Sequence, residues 1–154
     1  MEVIRFRYMV PTRMQALACP TILPNLKRRP WLLAQVPAFL LAQYWAACRL
    51  IRTQGVDLVY AHWVMPQGLI ATLLKRRTGV PYVLQNHSSD LRVFSKIGRA
   101  GKAIACRILR SANHLFCVNR DQQAYALSLF PDAEQRQLRA RTSVLPMGVT
   151  SNGW

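Results

Sequence analysis

The chain has 154 residues, 51% of them hydrophobic, which excludes a disordered tail and is enough for one domain with a sizeable core. Lys and Arg number 21 against 6 Asp and Glu, a formal net charge of +15, which calls for an anionic partner: membrane phospholipid, nucleic acid or a phosphorylated substrate. Four cysteines (Cys19, Cys48, Cys106, Cys117) lie in apolar contexts with no CxxC pair and no metal spacing, so they read as reduced, buried thiols of a cytoplasmic protein that needs no metal.

From the start, Met-Glu-Val-Ile-Arg-Phe-Arg-Tyr alternates like a strand and lacks the apolar core of a signal peptide. A strand is expected over Glu2 to Tyr8, with Val3 or Ile4, Phe6 and Tyr8 packing inward. Met9 to Pro30 is expected to be irregular because it carries Pro11, Pro20, Pro24 and Pro30. Trp31 to Cys48 is eighteen residues without a charge, at the lower bound of a membrane span. Gln35, Pro37 and Gln43 interrupt it, and basic residues flank both ends, so no orientation across a bilayer is preferred. A helix continuing to about Arg52 is expected instead, either in the core or leaning on a membrane surface.

The stretch from Val56 to Asp90 reads as strand, helix, strand. Val56 to Ala61 is short, apolar and β-rich and runs into His62-Trp63. Gln67 to Arg77 has helical spacing and ends in Lys75-Arg76-Arg77, where cations suit the helix dipole. Gly79 is placed just beyond the helix and Pro81 stops its continuation. Tyr82 to Gln85 is the next strand, ending in Asn86-His87-Ser88-Ser89-Asp90. Strands joined by a helix within one sheet run parallel, and in open parallel sheets ligands bind outside the carboxyl ends of the strands. Both histidine-bearing loops fall at that rim.

Asp90 to Ile97 reads as loop with local helical character. Arg99 to Ser111 reads as a basic helix with Ala100, Ala103, Ile104, Ile108 and Leu109 inward, and His114 to Val118 as a third core strand. Asn119 is placed as an N-cap, with Gln122 completing a capping-box pattern, before a helix from Arg120 to Leu129. Asp132 to Arg141 is polar and charged, and Thr142 to Leu145 is a short strand closed by Pro146-Met147-Gly148-Val149. Alternating strands and helices give an α/β fold, a Rossmann-like doubly wound parallel sheet.

Two clusters can carry chemistry, and each also has a structural reading. His62-Trp63 either caps and packs a strand end or offers an apolar face and a polar edge to a sugar or acceptor. Pro66-Gln67-Gly68 either starts a helix or presents backbone amides to an anionic ligand. His87-Ser88-Ser89-Asp90 is either a capped turn or a place where an imidazole donates to a sugar hydroxyl or a developing negative charge.

The run Asp57-Leu58-Val59-Tyr60-Ala61-His62-Trp63-Val64-Met65-Pro66-Gln67-Gly68 resembles the His-x-His-Trp…Pro-x-Gly segment of family four glycosyltransferases. His87-Ser88-Ser89-Asp90 is similar to their His-Gly-Ser-Asp loop, with Ser88 in place of Gly. Arg110 to Asn119 resembles their strand-and-cap segment. Pro146-Met147-Gly148-Val149 resembles the hinge to their second domain, with Met147 in place of Asn. The resemblance covers roughly Val3 to Val149. It implies a GT-B fold, in which two Rossmann-like domains flank a cleft and a sugar passes from a nucleotide-sugar to an acceptor. Configuration is usually retained and neither metal nor cofactor is required. It implies His87 as the catalytic residue. Substrate contacts are implied for His62, Trp63, Gln67, Gly68, Asn86, Ser88, Asp90 and Asn119. It further implies a glycan or lipid-linked acceptor in cell-envelope or exopolysaccharide synthesis, at the inner membrane face.

On this reading residues 1–150 are the acceptor-side domain without its first strand, and 151–154 begin the hinge to a donor domain. Such a fragment is expected not to turn over alone. The alternatives are a non-catalytic remnant or basic membrane-surface module, and a nucleotide-sugar epimerase of the same fold. Nucleic acid is disfavoured as a partner because no recognition motif or stacking array accompanies the charge.

Overall fold

In the computed structural model, residues 3–18, 22–87, 91–93 and 98–147 are described, and the chain divides into two compact units, Met1–Val56 and Asp57–Trp154. In the first unit the strand expected over Glu2 to Tyr8 does not form among the described residues, since a strand needs a neighbour and residues 3–8 enter no ladder. Two of its packing residues nevertheless act as expected, the Phe6 and Tyr8 rings lying 5.4 and 5.2 Å from the Phe39 ring, whereas Val3 and Ile4, without a sheet to face, are exposed. Side chains replace the missing ladder. The Tyr8 backbone N–H donates to Gln15 Oε1 at 3.2 Å, the Tyr8 hydroxyl accepts from Leu17 N at 3.1 Å, and Asn25 Nδ2 reaches the carbonyls of Ala16 and Leu17 at 3.0 Å.

The Pro-rich stretch is more regular than its composition implies, with a helix α1 (Ile22–Arg28) that holds Pro24 in its first turn, where no backbone donor is needed. A 3₁₀ segment, Pro30–Gln35, leads into α2 (Val36–Gln54), which starts later than Trp31 because Pro37 occupies its first turn. Gly55 ends it in the left-handed region at φ 62°. Pro30–Gln54 is long and apolar enough to cross a membrane by length and composition. Its Leu32, Gln35 and Phe39 are buried, and Gln35 Nε2 donates to the Met14 carbonyl at 3.0 Å. Its Trp31, Leu33, Leu41 and Trp45 are exposed.

The second unit carries the sheet: β1 (Val59–His62), β2 (Tyr82–Asn86), β3 (His114–Cys117) and β4 (Thr142–Val144), in the order β1-β2-β3-β4 with every pairing parallel. The connections run through α3 (Leu69–Thr78), then α4 (Arg99–Ser111), then α5 (Arg120–Ser128) and α6 (Asp132–Ala140). This is the expected Rossmann-like α/β arrangement, a parallel sheet flanked by helices. Gly79 follows α3 at φ 78°, as its position after the lysine-arginine turn required.

Two expectations about the helices need correction. In α4 the buried stripe is Gly101, Ala105, Cys106, Ile108 and Leu109, while Ala100, Ala103 and Ile104 face out. The stripe is turned by one position, onto the small residues Gly101 and Ala105. In α5 Asn119 Oδ1 accepts from Gln122 N at 2.8 Å, but the reciprocal half of the capping box is absent, since buried Gln122 Oε1 has no partner. The polar run from Asp132 is itself helical. Asp132 and Glu134 sit in its first turn, where the dipole favours acids, and Leu138 is its single buried residue.

Tyr82 joins β2 to both flanking helices. Its hydroxyl donates to the Ile108 carbonyl at 2.6 Å and meets Thr72 Oγ1 at 2.8 Å, which in turn donates to the Gly68 carbonyl at 2.8 Å. With one hydrogen on each hydroxyl, two of these three contacts carry a proton at a time. Burial pushes the phenol above its usual range, so it stays protonated. At the amino end of the strands Lys75 Nζ donates to the Ser111 carbonyl at 2.7 Å and to Asn113 Oδ1 at 2.9 Å, and Arg141 Nη1 donates to the carbonyls of Arg110 and Ala112.

Candidate functional site

Parallel pairing places His62 opposite Gln85. Side chains alternate along a strand, so His62, Gln85 and His87 share one face, while Leu84 and Asn86 turn toward the other, buried face. The result is contact between the two imidazoles expected at the rim: His62 Nδ1 lies 3.2 Å from His87 Nε2. One nitrogen donates and the other accepts. Two further residues that sequence reasoning missed support them. The Tyr60 hydroxyl donates to Gln85 Oε1, and the Tyr60 ring lies 4.4 Å from the His62 ring. The signal was available, because Tyr60 and Gln85 precede the two histidines by two residues each on the same face.

Trp63 leaves β1 in a conformation that L residues rarely adopt, φ 77° and ψ 138°. Such backbone costs about 1–3 kcal/mol and persists only where its surroundings hold it. Two hydrogen bonds hold it: Trp63 N donates to the Gln85 carbonyl at 2.9 Å, and Gly68 N donates to the Trp63 carbonyl at 3.1 Å. The indole then lies nearly parallel to His87, ring centroids 4.8 Å apart and 24° between planes. His62, Trp63 and His87 are therefore brought together.

The turn Val64–Gly68 that follows is wide, with Met65 extended and the Met65–Pro66 peptide cis. Gly68 does not offer a free amide to an anion, as the sequence had allowed, because that N–H is the one bonded to Trp63. A Cβ at Gly68 would lie 2.9 Å from Ile108 Cγ2 and 3.2 Å from Leu84 Cδ1, so the close approach that Gly68 permits is to the core. Asn119 Oδ1 is committed to its helix cap, and no contact places it beside the histidine pair. Ser88 and Asp90 lie outside the described residues.

Asn86 is fully buried, yet among the described residues neither its Oδ1 nor its Nδ2 has a partner, and Gln67 Oε1 and Gln122 Oε1 are likewise buried and unpaired. Asn86 ends β2, Gln67 lies in the turn after β1, and Gln122 lies in the first turn of α5, after β3. Among the described residues no three His, Cys, Asp or Glu side chains converge as a metal-binding group. Burial, and then the neighbouring His62, push the His87 imidazole below its ordinary value, so it is neutral at neutral pH. A neutral imidazole keeps one N–H to donate and one lone pair to accept, the state that hydrogen bonding to a hydroxyl or a shared proton requires.

The family described as glycosyl transferase 4-like domain matches residues 2–140. An uncharacterized glycosyltransferase of Methanocaldococcus jannaschii is 26% identical over 83 residues, which are 54% of this chain and 23% of that protein. The Bacillus subtilis glycosyltransferase TuaC, whose name assigns it provisionally to teichuronic acid biosynthesis, is 30% identical over 95 residues, 60% of this chain and 22% of that protein. The chain thus matches less than a quarter of the length of each relative.

Two outcomes are expected at this site. Asn86→Leu removes two unsatisfied buried polar atoms and fills similar space, so it raises unfolding stability by about 1–3 kcal/mol in denaturant titration. A lowered folded-state pKa means that His87 contributes stability that is present above the ordinary histidine value of about 6.5 and is lost as pH falls through the lower folded value. Stability measured across that window should fall on acidification, and His87→Gln should flatten that part of the curve.

Proposed function

The chain belongs to the glycosyl transferase 4-like family, and we propose that it is the acceptor-side half of an enzyme that moves a sugar from a nucleotide-sugar to a glycan or lipid-linked acceptor. The observation that carries this reading is the 3.2 Å contact between His62 and His87 at the carboxyl rim of a parallel sheet, where α/β proteins bind ligands. In the proposed reaction His87, neutral and half-buried, donates its N–H to a hydroxyl of the transferring sugar and holds it against the leaving diphosphate. His62 orients His87 through the shared hydrogen bond. Trp63, 43% exposed, offers an apolar wall to the acceptor. The donor nucleotide is assigned to a second domain, and the reaction is of the retaining type with no metal.

We place the protein at the cytoplasmic face of a membrane, in the assembly of a cell-envelope polysaccharide. Exposed Trp31, Leu33, Leu41 and Trp45 support that placement, as do Lys27, Arg28 and Arg29 just before them and Arg49 and Arg52 just after. Apolar side chains at the acyl boundary with cations at anionic headgroups is the pattern of a surface-bound helix.

Joined to a donor-binding domain, His87→Ala lowers the rate of sugar transfer by on the order of 10²-fold. An unchanged rate removes His87 from the mechanism, and conversion of the nucleotide-sugar with no acceptor present would point to an epimerase. Flotation tests the membrane placement: the chain should rise with phosphatidylglycerol vesicles and not with phosphatidylcholine vesicles, and Trp31→Ser with Trp45→Ser should weaken it.

A further inference from the structure

We infer that Trp63 is a positioning residue, kept in strained backbone so that its indole fixes the ring plane of His87. A residue at φ 77° and ψ 138° would be glycine if only the chain path mattered. A tryptophan stands there instead. It is not there to fill the core, since it is 43% exposed while neighbouring Val64 is fully buried. Its ring makes a contact that glycine cannot: it lies 24° from parallel to His87, at a centroid distance of 4.8 Å.

Two neighbouring side chains act on His87. His62 Nδ1 sets the direction of His87 Nε2 at 3.2 Å, and its ring is inclined 29° to the His87 ring. Trp63 lies nearly parallel to the ring, 4.8 Å between centroids, and keeps water from the part it covers. The imidazole therefore has one partner for one nitrogen and a fixed plane for the other. The bonds from Trp63 N to the Gln85 carbonyl and from Gly68 N to the Trp63 carbonyl hold the backbone, so the indole is aimed by β2 and the turn rather than by its own burial. Among the described residues His62 is the titratable group acting on His87, with Tyr60 behind it at 4.4 Å from the His62 ring.

The inference deepens the sugar-transfer reading and rests on it only for its purpose. It is tested on the 154-residue chain by following the histidine ring signals through a pH titration in NMR, together with thermal unfolding. His87 is identified by the signal lost in His87→Gln. Trp63→Gly should keep or raise the melting temperature, because glycine accepts the backbone freely. It should also move the His87 midpoint up toward that of an ordinary histidine, because the ring gains water. Trp63→Phe should restore the lowered midpoint, since a flat ring returns to the same place. An unmoved His87 midpoint in Trp63→Gly overturns the inference. So does a fall in melting temperature like that of a core deletion, or a midpoint that phenylalanine fails to restore. The two readings fail separately. A shifted midpoint beside an unchanged transfer rate in His87→Ala leaves the positioning intact and removes the sugar-transfer role, and the reverse pair of results does the opposite.

Discussion

The register between β1 and β2 is the constraint on which the site depends. His62 opposite Gln85 puts the two histidines on one face at one rim. A slip of one residue would turn His62 toward the buried face and separate the rings. The register is fixed redundantly, by the ladder, by the Tyr60 hydroxyl on Gln85 Oε1 and by Trp63 N on the Gln85 carbonyl. Gln85 is thus the residue against which both sides of the pair are set. It accepts through its side chain on the histidine face and through its backbone at the strand edge. The chemistry proposed for His87 inherits its geometry from these contacts.

The charge of +15 does not translate directly into a binding surface. Part of it is internal to the fold. Lys75 and Arg141 neutralise carbonyls at the carboxyl-terminal end of α4, where the helix dipole favours cations. Arg110 pairs bidentately with Glu134 at 2.7 and 3.0 Å, which holds the guanidinium charged and the carboxyl below its usual range. Both partners are exposed, so the pair adds little to stability. The cations left for an anionic partner include those flanking the uncharged run Trp31 to Cys48, which is why the membrane reading is drawn from that unit.

Local sequence carried much of the architecture. Short β-rich runs, Gly79 after a basic helix end, Pro81 beyond it and Asn119 before Arg120 each have one natural structural meaning, and the structure agrees with each. The parallel topology and the placing of both histidines at one rim followed from strand-helix-strand order, while their contact was set by the register. What was not legible depended on partners. The alternation of Glu2 to Tyr8 has the right period for a strand, but period does not supply a neighbouring strand. The inward face of α4 includes Gly101 and Ala105, and small residues carry weak hydrophobic signal. In α6 one buried leucine is too little periodicity to announce a helix. At the site, Gly68 looked like a ligand-facing glycine because sequence cannot say which way a close approach runs.

The two ends of the sheet are built to different standards. At the amino end the exposed carbonyls of α4 are met by Lys75 and Arg141, and Asn113 Oδ1 accepts both from Lys75 and from Tyr82 N. At the carboxyl end a tryptophan holds backbone that suits glycine, and buried Asn86, Gln67 and Gln122 carry amide atoms without partners. Each of these is a local conflict that simple substitutions would relieve: glycine at position 63, an apolar residue at 86. Chains tend to keep such conflicts where a function requires the groups in question and to remove them elsewhere. Within the sheet-bearing unit they share the carboxyl side of the strands with the histidine pair, a physical reason independent of family likeness to place the working end of that unit there; Gln35 and Gln43 carry such atoms in the first unit.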